Sequence, residues 1–422
     1  MNSNRTQILK WAMALYAVTT LISMAVMNIG AALLVLALFY VLVGRPKGIR
    51  VAFGSARRYF SYGFFGWASL SLGFAIFLSL FVAWYDPPGY GGNFVQIEFL
   101  KDLSKAWYLA WPFVLAVALR ELETDDRRFV IRAWLGAFGV ISLIGIAQFW
   151  TGWPRPQGIP FLSGHYFHAT LFLGHHLSVA SIWIFPFFAA LDFLIDRSRP
   201  AILPRRLLFL LAVVGGVTLI LGFSRTLWAA LPIGLLLWFV IGLPWKRAWA
   251  AVALVLVLAA GAWQVPLVKQ RVAQSIGVGP RIELWEKNLQ IFKDHPVTGA
   301  GWHHGAELTK YLEQFRNPTR TEIFMAHAHN NFLEMLGSTG VVGLLAWLIW
   351  NAVWVGLLIP AKARGFVEGV GKGPYFGRAL LCTWFVFQLN GLTQVNFWEA
   401  KVLHQLTWAT AWLLVWAMES EV

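Results

Sequence analysis

Charge is scarce in this chain. Asp, Glu, Lys and Arg make up 13% of its 422 residues, while hydrophobic residues make up 58%. A soluble chain of that length could not cover its surface with so little polarity, so the solvent of most of it is lipid. Cysteine is nearly absent as well: the single Cys382 lies in an apolar run, which excludes an intrachain disulfide framework and a cysteine-based zinc site. Acidic residues are outnumbered by basic ones, 20 to 34, for a formal charge of +14. The basic residues sit in short clusters between apolar runs rather than along one polar face, which fits lipid headgroups and not nucleic acid. Missing too are a Gly-rich phosphate loop, a Ser-centred nucleophile elbow, a His-Glu-x-x-His motif and any internal repeat. What the chain has in excess is tryptophan, 24 copies, a residue suited to headgroup depth, where its ring is apolar and its N–H meets water or phosphate.

Apolar runs long enough, or nearly so, to cross ~30 Å of hydrocarbon occur about twelve times. They cover 9–27, 29–44, 62–83, 106–119, 131–150, 167–191, 207–223, 226–243, 248–265, 331–359, 379–395 and 402–418. The pattern predicts an all-α polytopic membrane protein. Arg5 and Lys10 precede the first run with no small-residue cleavage site behind it, so that run reads as an uncleaved span. Lys and Arg concentrate in alternate loops, including Arg57, Arg58, Arg120, Arg127, Arg128, Arg205, Arg206 and Arg378. The opposite short loops hold only Lys101, Lys105, Arg155, Arg225 and Lys401. The positive-inside rule then predicts both termini in the cytoplasm. Three regions follow: 1–265 with nine spans, 266–330 as a long helical loop on the far side, and 331–422 with the last three spans. Within the loop, Ile282, Trp285, Leu289 and Phe292 recur at helical spacing, which predicts an amphipathic helix over 281–294 ended by Pro296, Gly299 and Gly301. A second helical piece is expected over 303–316.

With this topology the unusual polar residues share the non-cytoplasmic face: Arg155, His165, His168, Arg225, Arg281 and His329. Arg225 lies between two spans with almost no loop to carry it from lipid. It reads either as an interfacial arginine snorkelling to phosphate or as a guanidinium aimed at a phosphate-bearing ligand. Arg281 opens the amphipathic helix, where free backbone N–H groups favour an anion, and Arg155 is held between two prolines. Taken alone, each reads more readily as a solvated surface arginine. In His327-Ala328-His329-Asn330-Asn331, the two histidines lack the further ligands a metal needs, since Glu322 and Glu334 have no ligand spacing. Imidazole there suits proton transfer to or from a hydroxyl, or plain capping of the following helix. Asp86, Glu98 and Asp102 read as solvated acids, and His175, His176, His295, His303, His304 and His404 as packing or interfacial histidines.

This arrangement resembles the O-antigen ligase and polymerase superfamily of bacterial envelope glycosyltransferases. The matching elements are Ser224-Arg225 after an apolar run, Arg281 opening a helix with Trp285 and Asn288, and His295-Pro296 leading to Gly299-Ala300-Gly301. They continue with Ala328-His329-Asn330 followed by Leu333, Gly340 and Gly343, and with Arg155, Gly158 and His168 in the preceding exterior loop. The resemblance spans roughly residues 150–395. It implies a C-type glycosyltransferase membrane fold in the bacterial inner membrane, and an inverting, metal-independent glycosyl transfer in the periplasm without a cofactor. The donor implied is a glycan on undecaprenyl diphosphate; for the ligase branch the acceptor is a sugar hydroxyl of lipid A core. The proposed base of the family falls on His329, with His327, His168 and Asn330 as secondary candidates. The diphosphate-binding role falls on Arg225, Arg281 and Arg155.

Two other readings stand beside this one. A polymerase or a protein O-oligosaccharyltransferase of the same superfamily would pass the same donor to a different acceptor. The chain's end soon after its twelfth span, without an extra soluble domain, favours lipid A core. A lipid or glycan transporter would place its ionisable groups near mid-membrane in repeated halves, whereas here they gather at one face.

Overall fold

The computed structural model describes residues 3–44, 48–87, 89–90, 93–94, 98–159, 162, 165–196, 202–273, 279–304, 327–358 and 377–419. The helices are α1 (Ser3–Thr19), α2 (Met24–Val43), α3 (Gly48–Ser61), α4 (Phe65–Tyr85), α5 (Phe99–Ser104), α6 (Trp111–Arg120) and α7 (Thr124–Thr151). They continue with α8 (His176–Ile182), α9 (Ile184–Ile195), α10 (Arg205–Leu221), α11 (Arg225–Gly242), α12 (Trp245–Gln264), α13 (Pro266–Ala273) and α14 (Gly279–Asp294). The last are α15 (Asn331–Gly356), α16 (Gly377–Asn390) and α17 (Ala400–Glu419); a two-residue hairpin pairs β1 (Gly89–Tyr90) with β2 (Asn93–Phe94). The chain is an all-α polytopic membrane protein. Among the described residues, six helical stretches are long and apolar enough to cross a bilayer: Met24–Val43, Gly48–Tyr85, Thr124–Thr151, His176–Ile195, Arg225–Gly242 and Asn331–Gly356. The expected helical piece over 303–316 lies mostly outside the described residues.

Helices form here because an apolar chain in lipid must satisfy every backbone group internally. Where another partner is at hand, the helix stops. The expected span 167–191 is helical only from His176, because the backbone before it bonds elsewhere: Phe167, His168 and Ala169 donate to the carbonyls of Phe149, Gln157 and Leu221. Buried Gln148 clamps the same stretch, donating to the Arg155 carbonyl at 2.8 Å and accepting from the Leu171 N–H at 2.7 Å. The expected span 106–119 is a 3-10 turn over Lys105–Leu109 and then a ten-residue helix. The expected span 379–395 ends at Asn390, where the Gly391 carbonyl turns to accept from the Asn331 N–H.

Tryptophan also departs from expectation. Trp11, Trp67, Trp84, Trp150 and Trp245 are exposed on the lipid side, but Trp134, Trp183, Trp302, Trp347, Trp354 and Trp408 are fully buried. Two of these indoles donate to small hydroxyls, Trp183 to Ser142 at 2.8 Å and Trp354 to Thr410 at 2.9 Å, while the N–H groups of Trp134, Trp302, Trp347 and Trp408 have no hydrogen-bond partner among the described residues.

The helix ends sort the molecule into two poles. Basic residues mark one: Arg127 at the start of α7 meets Glu419 at the end of α17, Lys10 pairs with Asp126, and Tyr62 donates to the Ala417 carbonyl. The opposite pole holds the end of α7, the starts of α8, α11, α15 and α17, and the long-loop helix α14.

Candidate active site

The Ser-Arg step is built by the local backbone. Phe223 takes a left-handed conformation (φ 53°), rare for a bulky residue, and turns the chain sharply after α10. Buried Ser224 then caps α11, its hydroxyl accepting from the Leu227 N–H at 3.4 Å. Arg225 is thereby the first residue of α11. From α13, Arg271 lays its guanidinium on the Phe223 carbonyl, Nε at 3.3 Å and Nη2 at 3.1 Å. Arg281 sits in the first turn of α14. Burial first, and then the charge of Arg225, lowers the pKa of both Arg271 and Arg281. The charge of Arg225 thus bears on both Arg271 and Arg281; Arg225 and Arg281 lie in the first turns of their helices, where free N–H groups favour an anion, and Arg271 lies in the last turn of α13.

The His-Ala-His-Asn-Asn segment is held from behind. Buried Glu334 accepts from the Ala328 N–H, and the buried ammonium of Lys287 on α14 faces the same carboxylate. Burial lowers Lys287 to about 8, against the pull of Glu334. Asn330 caps α15, accepting from the N–H groups of Phe332 and Leu333 at 2.9 and 3.1 Å. Its amide donates to the Leu392 carbonyl. Between these anchors His329 is left-handed (φ 48°), and its half-buried ring lies within reach of the Arg281 charge. Burial, then His327, Arg281 and His175, lower the His329 imidazole to about 4, so it is neutral at physiological pH and able to take a proton. The His327 ring lies 4.3 Å away, but its Nδ1 accepts from the His329 N–H at 3.2 Å. That occupies a lone pair His327 would need as a base.

A column of imidazoles links the two parts. His168 stacks on His176 at 4.5 Å and His176 on His175 at 4.8 Å. His168 is buried and donates from Nδ1 to the Gly222 carbonyl at 2.9 Å, pinning the turn below Arg225.

Of the six residues expected on one face, the structure brings together Arg225, Arg281, His329 and His168. Arg155 and His165 are exposed at the edge; the Arg155 guanidinium packs on Gly174, beside His175. The amphipathic helix α14 forms, starting at Gly279, but its buried face is Leu284, Lys287, Asn288 and Ile291, while Ile282 and Leu289 are exposed. The reason is polar: Asn288 packs against Gly337 of α15 and Lys287 faces Glu334. Asp102 is not solvated. It is 3% exposed and takes Nζ of Lys105 at 2.7 Å and Nε2 of His304 at 2.9 Å. Burial raises its pKa, and these two hydrogen bonds overcome that and lower it. Arg271, His175 and Lys287 were absent from the sequence candidates; Arg271 follows Pro266 by a little over one helical turn, a start signal that could have drawn attention to it. Among the described residues, no three of His, Cys, Asp or Glu are placed to hold a metal ion together.

The fold and this pole define a class: a helical membrane protein with a cationic, imidazole-lined site at one end of its bundle. The sequence model of the family described as O-antigen ligase matches residues 208–348, the stretch that contains Arg225, Arg271, Arg281 and His329. Residues 208–348 are thus similar to the O-antigen ligase family. An O-antigen ligase from Pseudomonas aeruginosa is 28% identical over 355 residues, which covers 82% of this chain and 74% of the relative.

Proposed function

We propose that this chain is an O-antigen ligase of the bacterial inner membrane, working at its periplasmic face. It moves a glycan from undecaprenyl diphosphate to a sugar hydroxyl of lipid A core, with inversion. The convergence of Arg225, Arg271 and Arg281 with neutral His329 carries this reading. The acceptor oxygen attacks the anomeric carbon as the bond from that carbon to the diphosphate oxygen breaks. The hydroxyl proton passes to His329, and the arginines offset the charge that develops on the departing lipid diphosphate. Arg155, exposed at the edge, meets the donor before it is seated. Asn330 acts through the backbone, fixing the turn that presents His329, and His168 fixes the turn that presents Arg225. The loop 266–330 is assigned to the periplasmic side, between the spans of 1–265 and those of 331–422, and its helix α14 brings Arg281 to the site.

The test is transfer by purified protein from a lipid-diphosphate donor, offered separately lipid A core, nonreducing glycan ends and protein, with and without chelator. The expected outcome is extension of lipid A core alone, chelator having no effect. His329→Ala should lower kcat by ~10²–10⁴-fold, the usual contribution of a positioned base. Arg225→Ala and Arg271→Ala should lower it as well while the protein still inserts. Extension of glycan ends would make the chain a polymerase and extension of protein a protein ligase. Donor movement across the bilayer without bond formation would make it a transporter. Normal transfer by the His329 and Arg225 variants would remove their assigned roles.

A further inference from the structure

Beyond the arginines and His329, the same pole holds a second construction that the transfer scheme leaves unused. Trp302, His303 and Trp398 gather their rings: Trp398 lies 4.3 Å from His303 and 4.5 Å from Trp302. Trp302 is fully buried, and Trp398 is only partly covered. Both walls of this cluster are tied to the first turns of α15. On one side, Asn331, two residues past His329, donates to Asn396 at 2.6 Å and accepts from the Phe397 N–H, which fixes the turn carrying Trp398. On the other, the N–H groups of Ala300 and Gly301 donate to the carbonyls of Gly337 and Ser338 at 3.0 Å, which fixes the turn carrying Trp302 and His303.

That second turn is strained, with Gly301 at φ 106° and His303 at φ 69°, and something must hold it. Asp102 does so from a distant part of the chain through its bond to His304, with Lys105 completing the carboxylate. The part-exposed Lys105 and the buried Asp102 thus hold His304, the residue after left-handed His303, whose ring lies beside the Trp398 and Trp302 indoles; together they form a fixed platform with polar groups at its edge. Sugar rings take that shape of site, their C–H faces on aromatic surface and their hydroxyls on a few placed polar groups.

We infer that Trp398 and His303 form the subsite for the acceptor sugar ring, with Asp102 and His304 as the residues that position it. The inference rests on the glycosyl-transfer reading and deepens it. The order of groups supports the acceptor rather than the donor. Arg281 bears on His329, His327 adjoins His329, and the charges that bear on His303 are those of Lys105, His304, Asp102 and His327. Asn331, two residues past His329, bonds Asn396 and Phe397 next to Trp398, so the aromatic platform adjoins the base, where an acceptor hydroxyl must be held. In an inverting displacement the incoming hydroxyl sits beside the base and approaches the anomeric carbon from the side opposite to that from which the diphosphate departs.

The experiment measures kcat and separate KM values for donor and acceptor in the purified full-length protein. Trp398→Leu should raise the acceptor KM about tenfold or more, the order of a lost ring-on-ring contact, and leave the donor KM within about twofold. Trp398→Phe, which keeps an aromatic face, should recover most of the loss. Asp102→Ala should reproduce the acceptor defect through the displaced His303 turn, and Asp102→Asn should reproduce it less. An unchanged acceptor KM in Trp398→Leu and His303→Ala, or a rise in the donor KM instead, would overturn the subsite. Should wild-type protein transfer nothing, the glycosyl-transfer reading fails by itself. Calorimetric titration with core oligosaccharide freed of lipid then decides the subsite: binding by wild type and its loss in Trp398→Leu supports it, and no binding to wild type overturns it.

Discussion

Three bulky or polar residues at the site, Phe223, His303 and His329, hold left-handed backbone that side chains rarely adopt. Such conformations cost about 1–3 kcal/mol each and persist only where the surroundings impose them. At His329 the surroundings are Glu334 on the Ala328 N–H and the Asn330 cap, so the ring's direction is set before any substrate arrives. Its protonation is set in advance as well. Burial, His327, Arg281 and His175 all disfavour the charged imidazole, and the lowered value of about 4 means the basic form already dominates by pH 6. Since kcat/KM reports the free enzyme, it should be flat from about pH 6 to pH 8, where an imidazole near its ordinary value of about 6.5 would halve it at pH 6.5. Diphosphate binding brings negative charge beside Arg281 and raises the imidazole again, so any acid limb should appear at higher pH in kcat than in kcat/KM. A kcat/KM limb with its midpoint near 6.5 would show that a different group, or an unburied His329, accepts the proton.

At the scale of elements, the decisive feature is an interlock of two glycine-containing segments. At Gly340 (φ 63°, ψ −164°) the helix α15 breaks its own hydrogen-bond ladder. The freed carbonyls of Gly337 and Ser338 accept from Ala300 and Gly301, and the freed N–H groups of Val341 and Val342 donate to Pro296 and Val297. Ser79 of α4 adds a 2.6 Å bond to the Ser338 carbonyl. A short piece of sheet-like pairing is thus built into a spanning helix, where protein rather than lipid surrounds it. A methyl group at 340 would meet the Val297 carbonyl oxygen at 2.3 Å and would force a residue with a side chain into glycine's own conformation. Gly340→Ala should therefore destabilise by at least the ~1–3 kcal/mol of such strain and lower transfer along with thermal stability in detergent. Gly136→Ala, on an open helix face of α7 where an added methyl meets nothing, should leave both unchanged. Equal stability of the two variants would show that the interlock is not required. Whereas the cap on α15 came from Asn330 and not from a histidine, the glycine motifs were readable in the sequence, and so was the helix over 281–294. Their pairing was not, because it joins residues about forty apart through backbone groups that carry no residue code. Asp102 was misread for the same reason: spacing along the chain could not show that His304, 202 positions away, would desolvate it.

The whole molecule is polar along the bundle. Alternation of spans and the bias of Lys and Arg were enough to forecast this, because they reflect the cost of moving charge through lipid rather than any tertiary contact. In the fold, Arg57, Arg58, Arg127 and Glu419 crowd one pole with Tyr62 and Met418, while the histidines and the arginines of the site occupy the other. α7 joins the two, running from near Arg127 to the loop that carries Arg155, and so does α17, which starts just after Glu399 and ends at Glu419. The transfer scheme requires the site pole to face the periplasm, where lipid-linked glycan is presented, and the basic pole to face the cytoplasm. Cysteine labelling decides this directly, because the native Cys382 is buried and can be removed as Cys382→Ala. Single exposed cysteines would then be placed at the poles as His165→Cys and Arg57→Cys. A membrane-impermeant maleimide added to spheroplasts should label position 165 within minutes and position 57 only after the membrane is opened. Labelling of position 57 alone would turn the site toward the cytoplasm and end the periplasmic scheme. Labelling of both from outside would mean that the two poles do not lie across the bilayer from each other, and the spans would have to be redrawn.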